Sequence, residues 1–307
     1  YSTMKTLKNL ISLSLASILA LFVTACGDSS QSGGNVSIPD EPDAAVQTIA
    51  RALGEGNTEI IWQAMPKNYQ SDVNEIVQLA GTKMDPDLYN KGVDLVVRLT
   101  KVARDKQGFL LNNQFLAKQS SENKENIKQS IKALNEMMGT FASSELGTVE
   151  KLKNFDGASF FKNTMGDWFE QIETLSASAE GDQPSLEDLK KVVVRVVESN
   201  DGQATLAIET PGQEATEESF TRVEDRWVPT EMAESWEKDF MDAKSKLNAI
   251  SKKEMEQNKP QILGALGMFE GVLDQLESAN TQQEFDQALQ SAMMPIMGMM
   301  MQAGGNQ

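Results

Sequence analysis

The chain contains no histidine and only one cysteine, Cys26, in 307 residues. Without histidine it lacks the usual general base, the commonest metal ligand and the one side chain that normally titrates near neutral pH. One thiol cannot form an internal disulfide, so the fold has to be held by its core. Together these two absences exclude Ser-His-Asp and Cys-His catalysis, and zinc sites built on imidazole or thiolate. Basic residues are also scarce. There are 28 Lys and Arg against 45 Asp and Glu, for a formal net charge of −17. Phosphate binding needs clustered cations, so nucleic acid is not an expected partner. Anionic lipid headgroups are repelled for the same reason. The excess acid reads as a solubilising surface rather than a cation site. No internal repeat of 20–50 residues is present.

The N-terminal segment reads as an address. Met4 is taken as the translational start, Lys5 and Lys8 form a basic opening, and Leu10 to Val23 is an uncharged apolar run. That run is short for a membrane span and sits where a signal segment belongs. It ends in Val23-Thr24-Ala25-Cys26, followed by Gly27-Asp28-Ser29-Ser30. The arrangement resembles the bacterial lipoprotein signal class, in which an aliphatic residue and two small residues precede an invariant cysteine. The resemblance implies that residues 1–25 are a signal peptide removed just before Cys26. It further implies that the Cys26 thiol carries a diacylglyceryl group (the palmitate-type modification) and fixes the chain to a membrane. Gly27 is not the aspartate that retains such proteins at the inner membrane in enteric bacteria. The implied location is therefore the outer membrane, facing the periplasm. Residues 26–39, rich in Gly, Ser, Gln and Asn, read as a flexible tether with a reach of roughly 20 Å.

Beyond the tether the pattern predicts an α+β fold, mostly helical, forming a single composite domain over 40–307. Its expected parts are a helical stretch (40–180), an antiparallel β-meander of three to four strands (about 190–229) packed by flanking helices, and a helical tail (230–307). Asp40-Glu41-Pro42-Asp43 opens the first helix and Gly54 is its expected stop. Asp85-Pro86 is a cap with a first-turn proline. The valine run Val192–Val197, the turn residues Asn200-Asp201-Gly202 and the alternating Ala204–Thr210 predict a hairpin. A third strand through Phe220 and Val223 and a short fourth at Arg226-Trp227-Val228-Pro229 complete the meander. Helix resumes at Thr230, with Lys259-Pro260 expected to break it. Thr281-Gln282-Gln283-Glu284 is a capping-box pattern that starts the last helix.

The block from the hairpin through Arg226-Trp227-Val228-Pro229, with the opening helices from Asp43-Ala44-Ala45 to Trp62, resembles the SnoaL-like (nuclear transport factor) superfamily. The resemblance implies a curved sheet closed by a basic-Trp-aliphatic step. It implies no single function, because that superfamily hosts enzymes, binding modules and interaction domains.

Several residue groups carry side chains capable of chemistry. Ser121/Lys124, Ser159/Lys162 and Ser235/Lys238 place a hydroxyl and an amine one helical turn apart, as a serine–lysine acyltransferase needs. The companion Ser-Asp-Asn and Lys-Thr-Gly motifs are missing, which makes the three pairs background. The acid pairs Asp85/Asp87, Glu217/Glu218 and Glu224/Asp225 fit no calcium loop and read as a solvated face. Gly264, Gly267 and Gly271 share a helix face and suggest close packing against a neighbouring helix. Met293, Met294, Met297, Met299, Met300 and Met301 crowd the C-terminal end. Thioethers suit self-packing, a partner or membrane contact, or Cu(I), in that order of expectation. The expected function is a lipid-anchored, non-enzymatic binding module of the cell envelope. It has no catalytic residues, metal or cofactor, and an envelope protein is its expected partner. The alternatives are a carboxylate-dependent hydrolase and Met-rich copper handling.

Overall fold

A computed structural model describes residues 36–113, 116, 119–177 and 186–291. The expected signal segment 1–25, Cys26 with most of the expected tether, and the Met-rich end lie outside them. Helices α1 (Pro42–Gly54), α2 (Glu59–Ala64), α3 (Lys67–Lys83), α4 (Pro86–Asp105), α5 (Gln107–Asn112), α6 (Ser121–Ser143) and α7 (Val149–Lys153) come first. They are followed by α8 (Gly157–Lys162), α9 (Thr164–Ala177) and α10 (Leu186–Leu189). Then come strands β1 (Val193–Asn200), β2 (Gln203–Glu209), β3 (Thr216–Val223) and β4 (Arg226–Pro229), before α11 (Thr230–Ala249), α12 (Lys252–Ser278) and a last helix, α13, at 282–291. The fold is α+β, mostly helical, with one antiparallel meander in the order β1-β2-β3-β4. Among the described residues no helix is long and apolar enough to cross a membrane. The chain forms two compact units that cut across its linear stretches. Among the described residues, one joins 36–80 with 153–249, and the other joins 81–152 with 250–291.

The first unit is organised by the sheet. Alternation along β1 and β2 turns Val194, Ala204 and Leu206 to one face, where they meet Ala50 and Val46 of α1 together with Phe220 of β3. Leu206 is completely enclosed. Two residues, Asp201 and Gly202, connect β1 to β2, and Gly202 supplies the positive φ of 98° that the turn requires. α1 begins with Pro42 at a first-turn position, where its missing N–H costs nothing. The helix does end at Gly54, but the left-handed residue is Gly56 (φ 78°). Gly54 serves instead as a close-approach point. A Cβ there would sit 2.8 Å from the Leu186 carbonyl of α10. An aromatic cluster lies on the α2 side. Trp62 stacks on Phe161 at 5.6 Å between ring centroids, and Phe160 meets Trp168 edge-on at 5.7 Å.

The second unit is a helical assembly around α4, which packs against α6 and α12. Its core joins Leu95 and Val102 of α4, Leu273 and Leu276 of α12, and Phe285 and Ala288 of α13. Ion pairs run along the α4–α12 contact: Lys91 with Glu270 at 2.6 Å, and Arg98 with Asp274 at 2.7 Å and Glu277 at 2.8 Å. Two sequence expectations fail here. Lys259-Pro260 does not break the helix, because α12 runs through Pro260 and the break comes at Ile250-Ser251, where the Ser251 hydroxyl accepts from the Glu254 N–H at 3.3 Å. An interior proline removes one backbone hydrogen bond. The long apolar face C-terminal to it and the Lys259 ion pairs offset that loss. Among the described residues, Gly264, Gly267 and Gly271 make no close helix contact, since a Cβ on any of them meets nothing there within 4 Å. The capping box of α13 forms as read: Thr281 Oγ1 accepts from the Glu284 N–H at 3.2 Å, and a Glu284 carboxylate oxygen accepts from the Thr281 N–H at 3.2 Å.

Candidate functional site

The most exposed concentration of apolar residues in the first unit lies on β1, the strand at the open end of the sheet. An edge strand presents unpaired backbone groups, and proteins commonly guard them. Here Gln47 of α1 guards the beginning. Its Oε1 accepts from the Val194 N–H at 3.0 Å, and its Nε2 donates to the Val192 carbonyl. The side-chain amide thus imitates a neighbouring strand for one residue pair. Beyond Val194 no such guard is seen among the described residues. Between Val196, opposite Leu206, and Glu198, opposite Thr205, the register shifts by a bulge. Val193, Val196 and Val197 remain 41%, 44% and 52% exposed. Charges border them: Arg195 pairs with Glu209 at 3.2 Å, and Glu198 is exposed. An apolar ridge with open backbone groups and a charged border is equipped to recognise an extended strand.

The residues singled out from the sequence have other places. Cys26 and the methionines from Met293 to Met301 lie outside the described residues. Ser121 starts α6, where the neighbouring Ser120 hydroxyl caps the Asn123 N–H at 3.1 Å. Ser159 Oγ accepts from Asn163 at 3.3 Å while Lys162 pairs with Glu59 at 3.9 Å. Ser235 and Lys238 lie on α11, half-buried and exposed. Asp85 Oδ1 caps α4, accepting from the Asp87 and Leu88 N–H groups at 3.0 and 3.1 Å. Both Asp85 and Asp87 accept from Lys259, at 2.9 and 2.6 Å. The hydrogen bond from Lys259 holds the Asp85 carboxyl below the usual aspartate range, and the two acids raise the Lys259 ammonium. Glu217 and Glu218 are exposed on opposite faces of β3. The Glu224 carboxylate accepts from the first two N–H groups of α3, Lys67 at 2.7 Å and Asn68 at 3.4 Å. Asp225 pairs with Arg226. Each acid pair that resembled a site therefore has a structural or solvated role. Among the described residues no three acidic side chains are gathered to hold a metal ion.

Sequence reading recognised β1 as a strand but not its exposed ridge. The signal was there: Val192, Val193, Val194, Val196 and Val197 occupy both parities, so the strand cannot bury them all against a one-sided core. A second feature of this unit joins residues far apart in the sequence. Tyr69 and Trp236 stack face to face at 3.9 Å, with the Trp236 Nε1–H donating to Asp72 at 2.8 Å. Burial, with the Asp72 charge, raises the Tyr69 phenol above its ordinary value. No protein-family model, curated protein or solved structure matches the chain.

Proposed function

We propose that this chain is a lipid-anchored protein of the bacterial cell envelope that acts as a non-enzymatic binding module. One observation carries the reading: Lys5 and Lys8, the apolar run Leu10–Val23 and Val23-Thr24-Ala25-Cys26 fall in the register of a lipoprotein leader. Cys26 is then the lipidated first residue of the mature protein. Gly27 directs it to the outer membrane, facing the periplasm, where an envelope protein is its partner. Binding rather than catalysis is supported by the lack of histidine and by the structural use of Asp85, Asp87, Glu224 and Asp225. The exposed β1 ridge supports it too. The SnoaL-like reading of the sheet is supported by α1 packed on one face of a meander that closes with Arg226-Trp227-Val228-Pro229.

The test is metabolic labelling with a palmitate analogue in a bacterial host, with membrane fractionation. Wild type is expected to incorporate label and to sediment with membranes. Cys26→Ser is expected to lose the label and accumulate as the longer precursor. A wild-type protein cut elsewhere and released unlabelled would overturn the reading.

A further inference from the structure

The apolar stripe of α12 is well covered at one end only. Ile262, Leu266, Phe269, Leu273 and Leu276 recur at alternating steps of four and three, the spacing that keeps one seam along a helix. Leu273 and Leu276 are each 5% exposed, in one core with Phe285 and Ala288 of α13. Toward the other end Phe269 and Leu266 are half-buried, and Ile262 is 40% exposed. Residues 279–281 are the whole link from α12 to α13, and a link that short turns a helix back along its predecessor. α13 therefore heads from Leu276 toward Ile262, and its description stops at Ser291, before the exposed end of the stripe. The sequence beyond it carries the matching pattern: Phe285, Leu289, Ala292, Ile296 and Met299 alternate by four and three as well. Run antiparallel, the two stripes set Phe285 against Leu276 and Leu289 against Leu273, in agreement with the core that these residues share. The next steps set Ala292 against Phe269, Ile296 against Leu266 and Met299 against Ile262.

We propose that residues 292–299 continue the course of α13 along α12, where Ala292, Ile296 and Met299 cover Phe269, Leu266 and Ile262 and complete a two-helix hairpin. Position, reach and shape select this occupant together. The segment follows directly on Ser291, already alongside α12. As helix, Leu289 to Met299 spans about 15 Å, and the stripe from Leu273 to Ile262 spans about 16 Å. The small Ala292 falls opposite Phe269, the bulkiest side chain of the stripe, and the adaptable Met299 opposite Ile262, its most exposed. Pro295 and Gly298 fall between the seam positions, and α12 itself runs through Pro260.

The test uses the full chain in mild detergent, carrying Cys26→Ser so that introduced thiols are the only ones. With Ile262→Cys and Met299→Cys together, mild oxidation is expected to close a disulfide within one chain, read by mass and by mobility on a non-reducing gel. Ile262→Cys with Met297→Cys is expected to stay reduced under the same exposure, because residues two apart lie on opposite sides of a helix. The independent measurement is thermal melting of chains without introduced thiols. Met299→Asp should lower the melting temperature by roughly 4–8 °C, through a charge buried against Ile262. Met297→Asp should leave it unchanged. Ending the chain after Ser291 should lower it as Met299→Asp does. No disulfide from the 262/299 pair would overturn the proposal, and so would equal closure of the 262/297 pair. A disulfide joining two chains would give the stripe to a second copy instead. Equal melting of all four chains would leave it to some other partner and overturn the proposal too. None of these readouts depends on lipidation.

Discussion

At the scale of single residues, two positions show how local cost is exchanged for distant contact. Glu224 is the only non-glycine with positive φ among the described residues, at 54°. A left-handed backbone costs an ordinary residue roughly 1–2 kcal/mol. That cost is met where the Glu224 carboxylate satisfies the N–H groups of Lys67 and Asn68 at the start of α3. Substitution by alanine removes the cap and keeps the strain, whereas glycine removes both. Glu224→Ala should therefore be less stable than Glu224→Gly, by about 1 kcal/mol in urea unfolding. An alanine variant as stable as the glycine variant would mean that the backbone strain is negligible. Gly157 is constrained in space rather than in φ, since a Cβ there would lie 2.3 Å from the ring of the buried Trp62. Gly157→Ala should lower stability by about 1–3 kcal/mol through this overpacking. Trp62 emission should shift with it. A variant with unchanged melting and emission would show that the ring moves aside at no cost.

Among the elements, α4 concentrates several roles in one carboxylate. Asp85 caps the helix and also accepts from Lys259 of α12. Its folded pKa lies below its unfolded value, so its stabilising effect is complete above the ordinary aspartate value of about 3.9 and is lost as pH falls through the lower folded value. Lys259 runs the other way: its contribution is complete below about 10.4 and disappears as pH rises through its raised folded value. Asp85→Ala should cost about 0.5–2 kcal/mol at neutral pH, mostly through the lost cap. Asp87→Ala should cost less, because its carboxylate is largely exposed and an exposed ion pair contributes little. Urea midpoints across an acid titration check both, with wild type and Asp85→Ala converging at low pH. A difference that persists there would assign the effect to packing. The Asp85 cap and the Thr281/Glu284 box were legible in the sequence because each is chemistry between near neighbours. So were the β1–β2 turn at Gly202 and the four strands. What stayed hidden depends on residues far apart in the chain. The Gln47 guard of Val194, the Glu224 cap of α3 and the Tyr69–Trp236 stack leave no periodicity to read. Pro260 misled for the opposite reason: its local preference is strong, but the packed length of α12 outweighs it. The β1 ridge was half legible, since the valines announced a strand, while the bulge that aligns Arg195 with Glu198 appears only in the pairing with β2.

For the molecule as a whole, charge and the proposed lipid anchor act in opposite directions at a membrane. A net charge of −17 repels a bilayer containing anionic lipids, and no helix among the described residues supplies a span. In the proposed anchoring, acyl chains on Cys26 have to overcome that repulsion, at roughly 0.8 kcal/mol for each buried methylene. Salt screens the repulsion, with the Debye length falling from about 10 Å at 0.1 M to about 3 Å at 1 M. Membrane retention should therefore hold or strengthen in high salt, whereas a protein held by basic contacts is released by it. The measurement is flotation of the protein, expressed from its full sequence in a bacterial host, with vesicles of rising anionic lipid content, at low and at molar salt. Binding should weaken modestly with anionic lipid at low salt, and molar salt should erase that dependence. Detergent should release the protein at either salt concentration. Release by salt alone would show that the attachment is electrostatic, and would remove the acyl anchor from the account.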